Sequence, residues 1–251
     1  MLEKFAFALI IIAFSCQNST NGSQRTLPAS AKPSSCISFP EGTEIDGNLL
    51  TRLDKDYSAE HCQLVLSKIE GSTNLNIEFA GVSNLRILEH LKFKSLKGIF
   101  AFGNKISDIT PLMRFSDINH LDVSNNNIKD LQPLSSLVNL TSLVLSHNRI
   151  SSLEDLKNLR NLRRLEFSEN LIEGIDPVEN MTDLTHLDAS ENLIKDLDPI
   201  VGLKKLEKLY LSRNPIPLEK CPISGAPQPI TQYCKLEHER SSASSTPWIP
   251  R

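Results

Sequence analysis

The sequence predicts an α/β solenoid, a curved horseshoe with a parallel β-sheet on its concave face and short 3₁₀ turns on its convex face. A phrase of the form L-x-x-L-x-L-x-x-N-x-I-x-x-L-x-P-L-x-x-L recurs every 22 residues from Leu96 onward. Its L-x-L core has the two-residue period of a strand with one buried face. The chain has 37 leucines and 19 asparagines among 251 residues, and only 6% aromatic residues, a bias that a repeat explains.

An asparagine recurs at the same position of each repeat, and an isoleucine stands two positions after it. The asparagines are Asn104, Asn126, Asn148, Asn170, Asn192 and Asn214. Each stands where the chain leaves a strand and turns inward, so its amide can bond to unpaired backbone groups of adjacent turns. Because nothing within one repeat can pair with its short strand, each strand must pair with the next repeat, about 4.8 Å away. These asparagines are therefore predicted to be structural.

The return side of the repeat is marked by prolines. They are Pro111, Pro133, Pro177 and Pro199. A proline fixes φ and suits the first turn of a short helix, which predicts single 3₁₀ turns on this side. Asp108, Asp130 and Asp196 precede prolines and are predicted to cap the turns.

A further strand is predicted upstream, over Leu75–Phe79. Ile77 and Phe79 lie 22 residues before Ile99 and Ala101. This register places Val82 in the asparagine position, a departure expected of a terminal repeat that merges into a cap.

The register over six units resembles the leucine-rich repeats of the bacterial internalin-like class, and the resemblance covers residues 96–218. It implies a leucine-rich repeat solenoid that binds a protein through its concave face. Residues 74–218 are accordingly predicted to form the repeat domain.

The amino terminus is typical of a signal peptide over residues 1–15. Its apolar run, Phe5–Phe14, spans about 15 Å against the ~30 Å core of a bilayer, so it predicts export and not a spanning helix. The predicted cleavage directly before Cys16 resembles a bacterial lipoprotein signal, which implies an acylated Cys16, a tether over 16–35 and an outer-membrane or cell-surface location. The alternatives are an ordinary cleaved signal and a eukaryotic export signal, the latter suggested by four glycosylation sequons, at Asn18, Asn21, Asn139 and Asn180.

The remaining four cysteines flank the repeats, and the segment around Cys221 resembles the closing segment of many bacterial leucine-rich-repeat proteins. An open solenoid needs caps, and an exported protein can form disulfides. Disulfide-bonded caps are therefore predicted over 36–73, with a helix over 58–69 and a Cys36–Cys62 bond, and over 219–234, with a Cys221–Cys234 bond. A zinc site is the weaker alternative, because no pair has C-x-x-C spacing. Residues 235–251, including Trp248, are predicted to be a disordered tail.

Outward positions of the strands form rows across the predicted sheet. The first row is Gly98, His120, Ser142, Arg164, His186 and Lys208. The second row is Phe100, Asp122, Val144, Glu166, Asp188 and Tyr210. The serine row is Phe102, Ser124, Ser146, Ser168, Ser190 and Ser212, and its serines are predicted to be scaffold. The last row is Gly103, Asn125, His147, Glu169, Glu191 and Arg213.

The variable side chains of these rows are predicted to contact a protein partner, with a plain solvated strand face as the alternative. The predicted contacts are Phe100, Phe102, His120, Asp122, Val144, His147, Arg164, Glu166, Glu169, His186, Asp188, Glu191, Lys208, Tyr210 and Arg213. Phe100 and Phe102 are predicted to be an exposed aromatic pair that anchors the partner protein.

Composition and motifs argue against two classes of function. A net charge of −3 argues against nucleic-acid binding, and only 10 glycines with no phosphate-binding loop or nucleophile elbow argue against an enzyme. No cofactor is expected, and a monomer is expected. The predicted function is a lipid-anchored, non-enzymatic protein-binding module. The alternatives are a structural envelope-assembly lipoprotein and, less favoured, a metal-dependent enzyme using His147, Glu169 and Glu191.

Overall fold

The parallel sheet is confirmed by a computed structural model, which describes residues 70–217 and 226–234. Seven strands of three residues each lie side by side in chain order. They are β1 (Asn74–Asn76), β2 (Gly98–Phe100), β3 (His120–Asp122), β4 (Ser142–Val144), β5 (Arg164–Glu166), β6 (His186–Asp188) and β7 (Lys208–Tyr210). The middle residue of each strand points into the core, as the L-x-L alternation requires.

The return side consists of 3₁₀ segments, as predicted. They are Arg86–His90, Thr110–Arg114, Gln132–Leu134, Glu154–Leu156, Asp176–Asn180 and Asp198–Ile200. Four of them begin with a proline in their first turn. The carboxylates of Asp108, Asp130 and Asp196 each accept a hydrogen bond from the backbone N–H two residues later, which confirms their role in starting the turns.

The core is one continuous apolar stack between the sheet and the 3₁₀ side, with one layer per repeat. Most of its leucines and isoleucines are fully buried, and Phe167 is the largest of the fully buried side chains. Among the described residues, every buried side-chain nitrogen or oxygen has a hydrogen-bond partner.

The asparagine ladder supplies those partners where the chain leaves the strands. The amide of Asn126 donates to the carbonyls of Ala101, Val123 and Ser124, each at 3.0 Å, and its Oδ1 accepts from the N–H of Ile106 at 2.8 Å. The same pattern recurs along the array, and Asn192 is only 2% exposed. The prediction that these residues are structural is confirmed.

The predicted register of the first strand is wrong by two residues. Strand β1 pairs Leu75 with Ile99, a separation of 24 residues, and Ile77 donates its N–H to the carbonyl of Phe100. Phe79 therefore does not lie in the buried column opposite Ala101; it is 61% exposed. Val82 fills the isoleucine column, where its N–H is bonded by Asn104, and does not occupy the asparagine position.

The extra two residues lie on the return side of the first repeat. Leu91 and Leu96 are five residues apart, whereas the equivalent Phe115 and Ile118 are three apart. Phe93, in the inserted stretch, packs edge-on against Phe115 with ring centroids 5.8 Å apart.

The carboxyl-terminal end of the stack is covered by helix α1, residues 228–234. Ile230 and Cys234 are buried in the core, with Tyr233 packed against it. Cys234 is disulfide-bonded, but its predicted partner Cys221 lies outside the described residues, so this pairing stays a prediction.

Several other predictions fall outside the described residues: the signal peptide over 1–15, Cys16 and its tether, the Cys36–Cys62 cap with its helix, and the tail over 235–251. Within the described part of the chain, no helix combines the length and apolarity needed to cross a bilayer.

Candidate functional site

The rows predicted from the 22-residue spacing lie side by side on the concave face. The register pairs Arg164 with His186 and Glu166 with Asp188, and the same offset holds from β2 to β7. Side chains of the first and second rows are exposed or half-buried from β3 onward, and Tyr210 at the far end is 56% exposed. The structure thus brings the predicted contact residues onto one surface.

Hydrogen bonds hold the carboxylates of the second row in place. Asp122 accepts from both the N–H and the hydroxyl of Ser124, and Asp188 accepts the same two bonds from Ser190. Glu166 pairs with the guanidinium of its strand neighbour Arg164 at 2.6 Å. Each acidic side chain is therefore oriented before any partner arrives, which lowers the entropy lost on binding.

The first and second rows carry opposite electrostatic character. Burial raises the pKa of the Glu166 carboxyl, Arg164 opposes that rise, and the nearby charges of Asp188 and Asp122 add to it. Burial lowers the pKa of His186 in the first row, and the cations Lys208 and Arg164 lower it further. The carboxylate of Glu166 is thus repelled by Asp122 and Asp188, and His186 lies near the cations Lys208 and Arg164.

The last row has a backbone conformation that its sequence does not favour. Asn125, His147, Glu169, Glu191 and Arg213 have φ between 52° and 59°, in the left-handed region. Glycine adopts this region readily and asparagine and histidine are enriched in it, whereas glutamate and arginine adopt it at a cost.

Side chains of the last row pair with each other across repeats. His147 Nδ1 lies 2.9 Å from a carboxylate oxygen of Glu169, and Arg213 lies 2.6 Å from Glu191. Among the described residues, no three histidine, cysteine, aspartate or glutamate side chains form a group that could hold a metal ion. These side chains form an exposed contact between His147 and Glu169 and an exposed ion pair between Arg213 and Glu191.

The serine row is a scaffold, as predicted. Ser124 and Ser146 are buried, and the hydroxyl of Ser168 donates to that of Ser146 at 2.9 Å. Only its first member, Phe102, presents a large side chain.

An aromatic patch at the amino-terminal end of the face was only partly predicted. Phe100 and Phe102 are half-buried there. The structure adds Phe79, whose ring meets that of Phe102 edge-to-face with centroids 4.7 Å apart and an interplanar angle of 88°. Sequence reasoning missed Phe79 because the assumed register buried it; the wider spacing between Leu91 and Leu96 was the available clue.

Comparison with known families agrees with this geometry. The profile described as Leucine Rich repeats (2 copies) matches residues 117–158, 160–198 and 182–220. The repeats are leucine-rich repeats. No curated protein sequence matches the chain significantly.

Solved structures of other leucine-rich repeat proteins resemble the chain. An internalin from Listeria monocytogenes is 27% identical with a TM-score of 0.54, and the match covers 61% of this chain and 44% of that one. Internalin C2 from the same organism is also 27% identical, with a TM-score of 0.53 and coverage of 67% and 80%. A plant peptide hormone receptor in complex with RGF2 is 26% identical, with a TM-score of 0.50 and coverage of 59% and 26%. The chain thus spans less than half of the first internalin.

Proposed function

We propose that this protein is a non-enzymatic binding module that recognises a protein partner through the concave face of its leucine-rich repeats. The observation that carries the proposal is the contrast between rows. The asparagine ladder and the serines of the serine row repeat and are buried or half-buried, apart from the exposed Ser212. The first, second and last rows vary in charge and size and, apart from the buried Gly98, are half-buried or exposed. Solenoids offer such extended concave surfaces for binding.

The location and anchor are further parts of the proposal. The similarity to Listeria internalins supports an extracellular or cell-surface protein, and the resemblance of residues 1–16 to a lipoprotein signal supports acylation of Cys16. The alternative, a structural envelope-assembly lipoprotein, shares this anchor and differs in not using the concave face.

A pull-down with concave and convex variants separates these two functions. The concave variant changes Arg164, Glu166 and Tyr210 to alanine, and the matched convex variant changes the exposed Met113 and Lys157. We expect the concave variant to lose the proteins that wild type captures from the native host, while the convex variant retains them. Equal capture by the concave variant would contradict the concave-face function.

The mass of the mature amino terminus tests the anchor separately. We expect the protein from its native host to begin at Cys16 with attached acyl chains. A free Cys16 thiol or a retained Met1 would remove the membrane assignment and leave the binding function untouched.

A further inference from the structure

The last row begins with an exposed aromatic residue at the amino-terminal end of the concave face. Phe79 occupies the last-row position of the first repeat and has a φ of 50°. The equivalent residues of all six following repeats also have positive φ, so this conformation belongs to the repeat: Gly103, Asn125, His147, Glu169, Glu191 and Arg213. Phe79 differs from them in presenting a large apolar side chain, which is 61% exposed.

The ring of Phe79 contacts two residues of the next repeat, Gly103 and Phe102. A Cβ placed on Gly103 would lie 2.6 Å from two ring carbons of Phe79, so the ring rests directly on the glycine backbone. Phe102 makes an edge-to-face contact with the same ring. The two rings are therefore in contact, and the Phe79 side chain is accessible because it is exposed.

The second row extends from this patch as a line of carboxylates. Phe100 on β2 is the register neighbour of Asp122 on β3, and Glu166 and Asp188 follow on β5 and β6. Asp122 and Asp188 take their hydrogen bonds from neutral serines. Within residues 70–217 and 226–234, no ion pair involves either of these two carboxylates. A partner that supplies positive charge here would relieve the repulsion that these side chains exert on Glu166.

We propose that Phe79 and Phe102 form an anchor site for an apolar side chain of a partner protein, whose following two basic residues lie beside Glu166 and Asp188. This inference rests on the proposed function and specifies the chemistry of the partner: an extended segment with an aromatic residue followed by lysines or arginines. Aromatic pockets of this kind are where interface energy concentrates.

Strand spacing fixes the separation expected between anchor and charges. From β2, three and four strand steps of about 4.8 Å give roughly 14 and 19 Å to β5 and β6. An extended segment covers about 3.3 Å per residue, so the basic residues should follow the aromatic one by about four and six positions.

Three fluorescein-labelled synthetic peptides test the proposal against the full chain by fluorescence polarisation. The first has tryptophan followed by lysines four and six residues later in a serine and threonine background. The second replaces both lysines with glutamate, and the third replaces tryptophan with alanine. We expect the first to bind at least about tenfold more tightly than either of the others.

The matched protein variants are Phe79→Asn and Met113→Asn. Asparagine keeps the backbone conformation that Asn125 adopts at the equivalent position, while Met113 is an exposed apolar residue on a 3₁₀ segment of the opposite face. Phe79→Asn is expected to weaken the tryptophan–lysine peptide about tenfold with a thermal midpoint within about 3 °C of wild type. Met113→Asn is expected to change neither.

Several outcomes overturn the proposal. They are equal binding of the lysine and glutamate peptides, no binding of the lysine peptide at about 1 mM, and unchanged binding by Phe79→Asn. A wild-type dimer that Phe79→Asn dissociates would assign the patch to a second copy, and a fall of more than about 8 °C in thermal midpoint would assign it to packing within the chain. If the peptides fail while the concave pull-down variant still loses its captured proteins, this inference falls and the proposed function stands.

Discussion

Replacing Asn170 with alanine probes how much one step of the asparagine ladder stabilises the solenoid. Asn170 is 7% exposed and makes four hydrogen bonds. Its Oδ1 accepts from the N–H of Ile150 at 2.9 Å. Its amide donates to the carbonyls of Leu145, Phe167 and Ser168 at 3.0 to 3.2 Å. Alanine removes all four.

The four lost hydrogen bonds do not cost the same free energy, because some of the partner groups keep a second hydrogen bond and others do not. The carbonyls of Leu145 and Phe167 each keep a second asparagine donor, Asn148 and Asn192 respectively. The N–H of Ile150 loses its side-chain acceptor in a buried position, and leaving such a donor unsatisfied costs about 1–3 kcal/mol. Adding the small void and the weakened carbonyl bonds, we expect a loss of about 2–4 kcal/mol in the free energy of unfolding.

Urea unfolding followed by circular dichroism measures this loss. Asn161→Ala is the matched control, because Asn161 is exposed and makes a single amide bond, to the carbonyl of Val138 at 2.8 Å. We expect the control to lie within about 0.5–1 kcal/mol of wild type. If Asn170→Ala were no more destabilising than Asn161→Ala, the ladder would not be the structural device that its geometry indicates.

Three further outcomes are expected. Glu166→Gln should stabilise the protein at pH 7, because the raised pKa of the folded-state carboxyl means that its ionised form is disfavoured in the fold. In paired urea titrations, the gain in the free energy of unfolding should vanish below the unfolded pKa of about 4.3. Phe167→Ala should lose about 3–5 kcal/mol in urea unfolding, whereas the exposed Leu171→Ala should change little. Lys205→Ala should raise the pKa of Asp183 in an NMR titration, because the Lys205 hydrogen bond and charge hold that pKa below its usual value.

The repeat could be predicted from the sequence because its physics is periodic. Each 22-residue unit places one leucine in a strand centre and one asparagine at the turn, so β2 to β7 and their rows follow from counting. The 3₁₀ side follows from its prolines for a similar reason, since a fixed φ acts locally.

The first repeat could not be predicted by the same counting. A shift of two residues keeps every strand side chain on its original face, so Leu75, Ile77 and Phe79 fit the alternation in either register. The left-handed φ of Phe79 could not be predicted from the sequence either, because bulky residues rarely adopt that conformation. The side-chain pairs of the last row, His147 with Glu169 and Arg213 with Glu191, depend on side-chain placement between repeats, which spacing alone does not give.

Site-specific photo-crosslinking in the native host tests directly whether the protein recognises its partner through the concave face. A photoreactive side chain would replace Val144 on the concave face or Met113 on the convex face, one at a time. We expect a crosslinked partner protein from position 144 and none from position 113. A partner crosslinked from position 113 and not from position 144 would contradict recognition through the concave face.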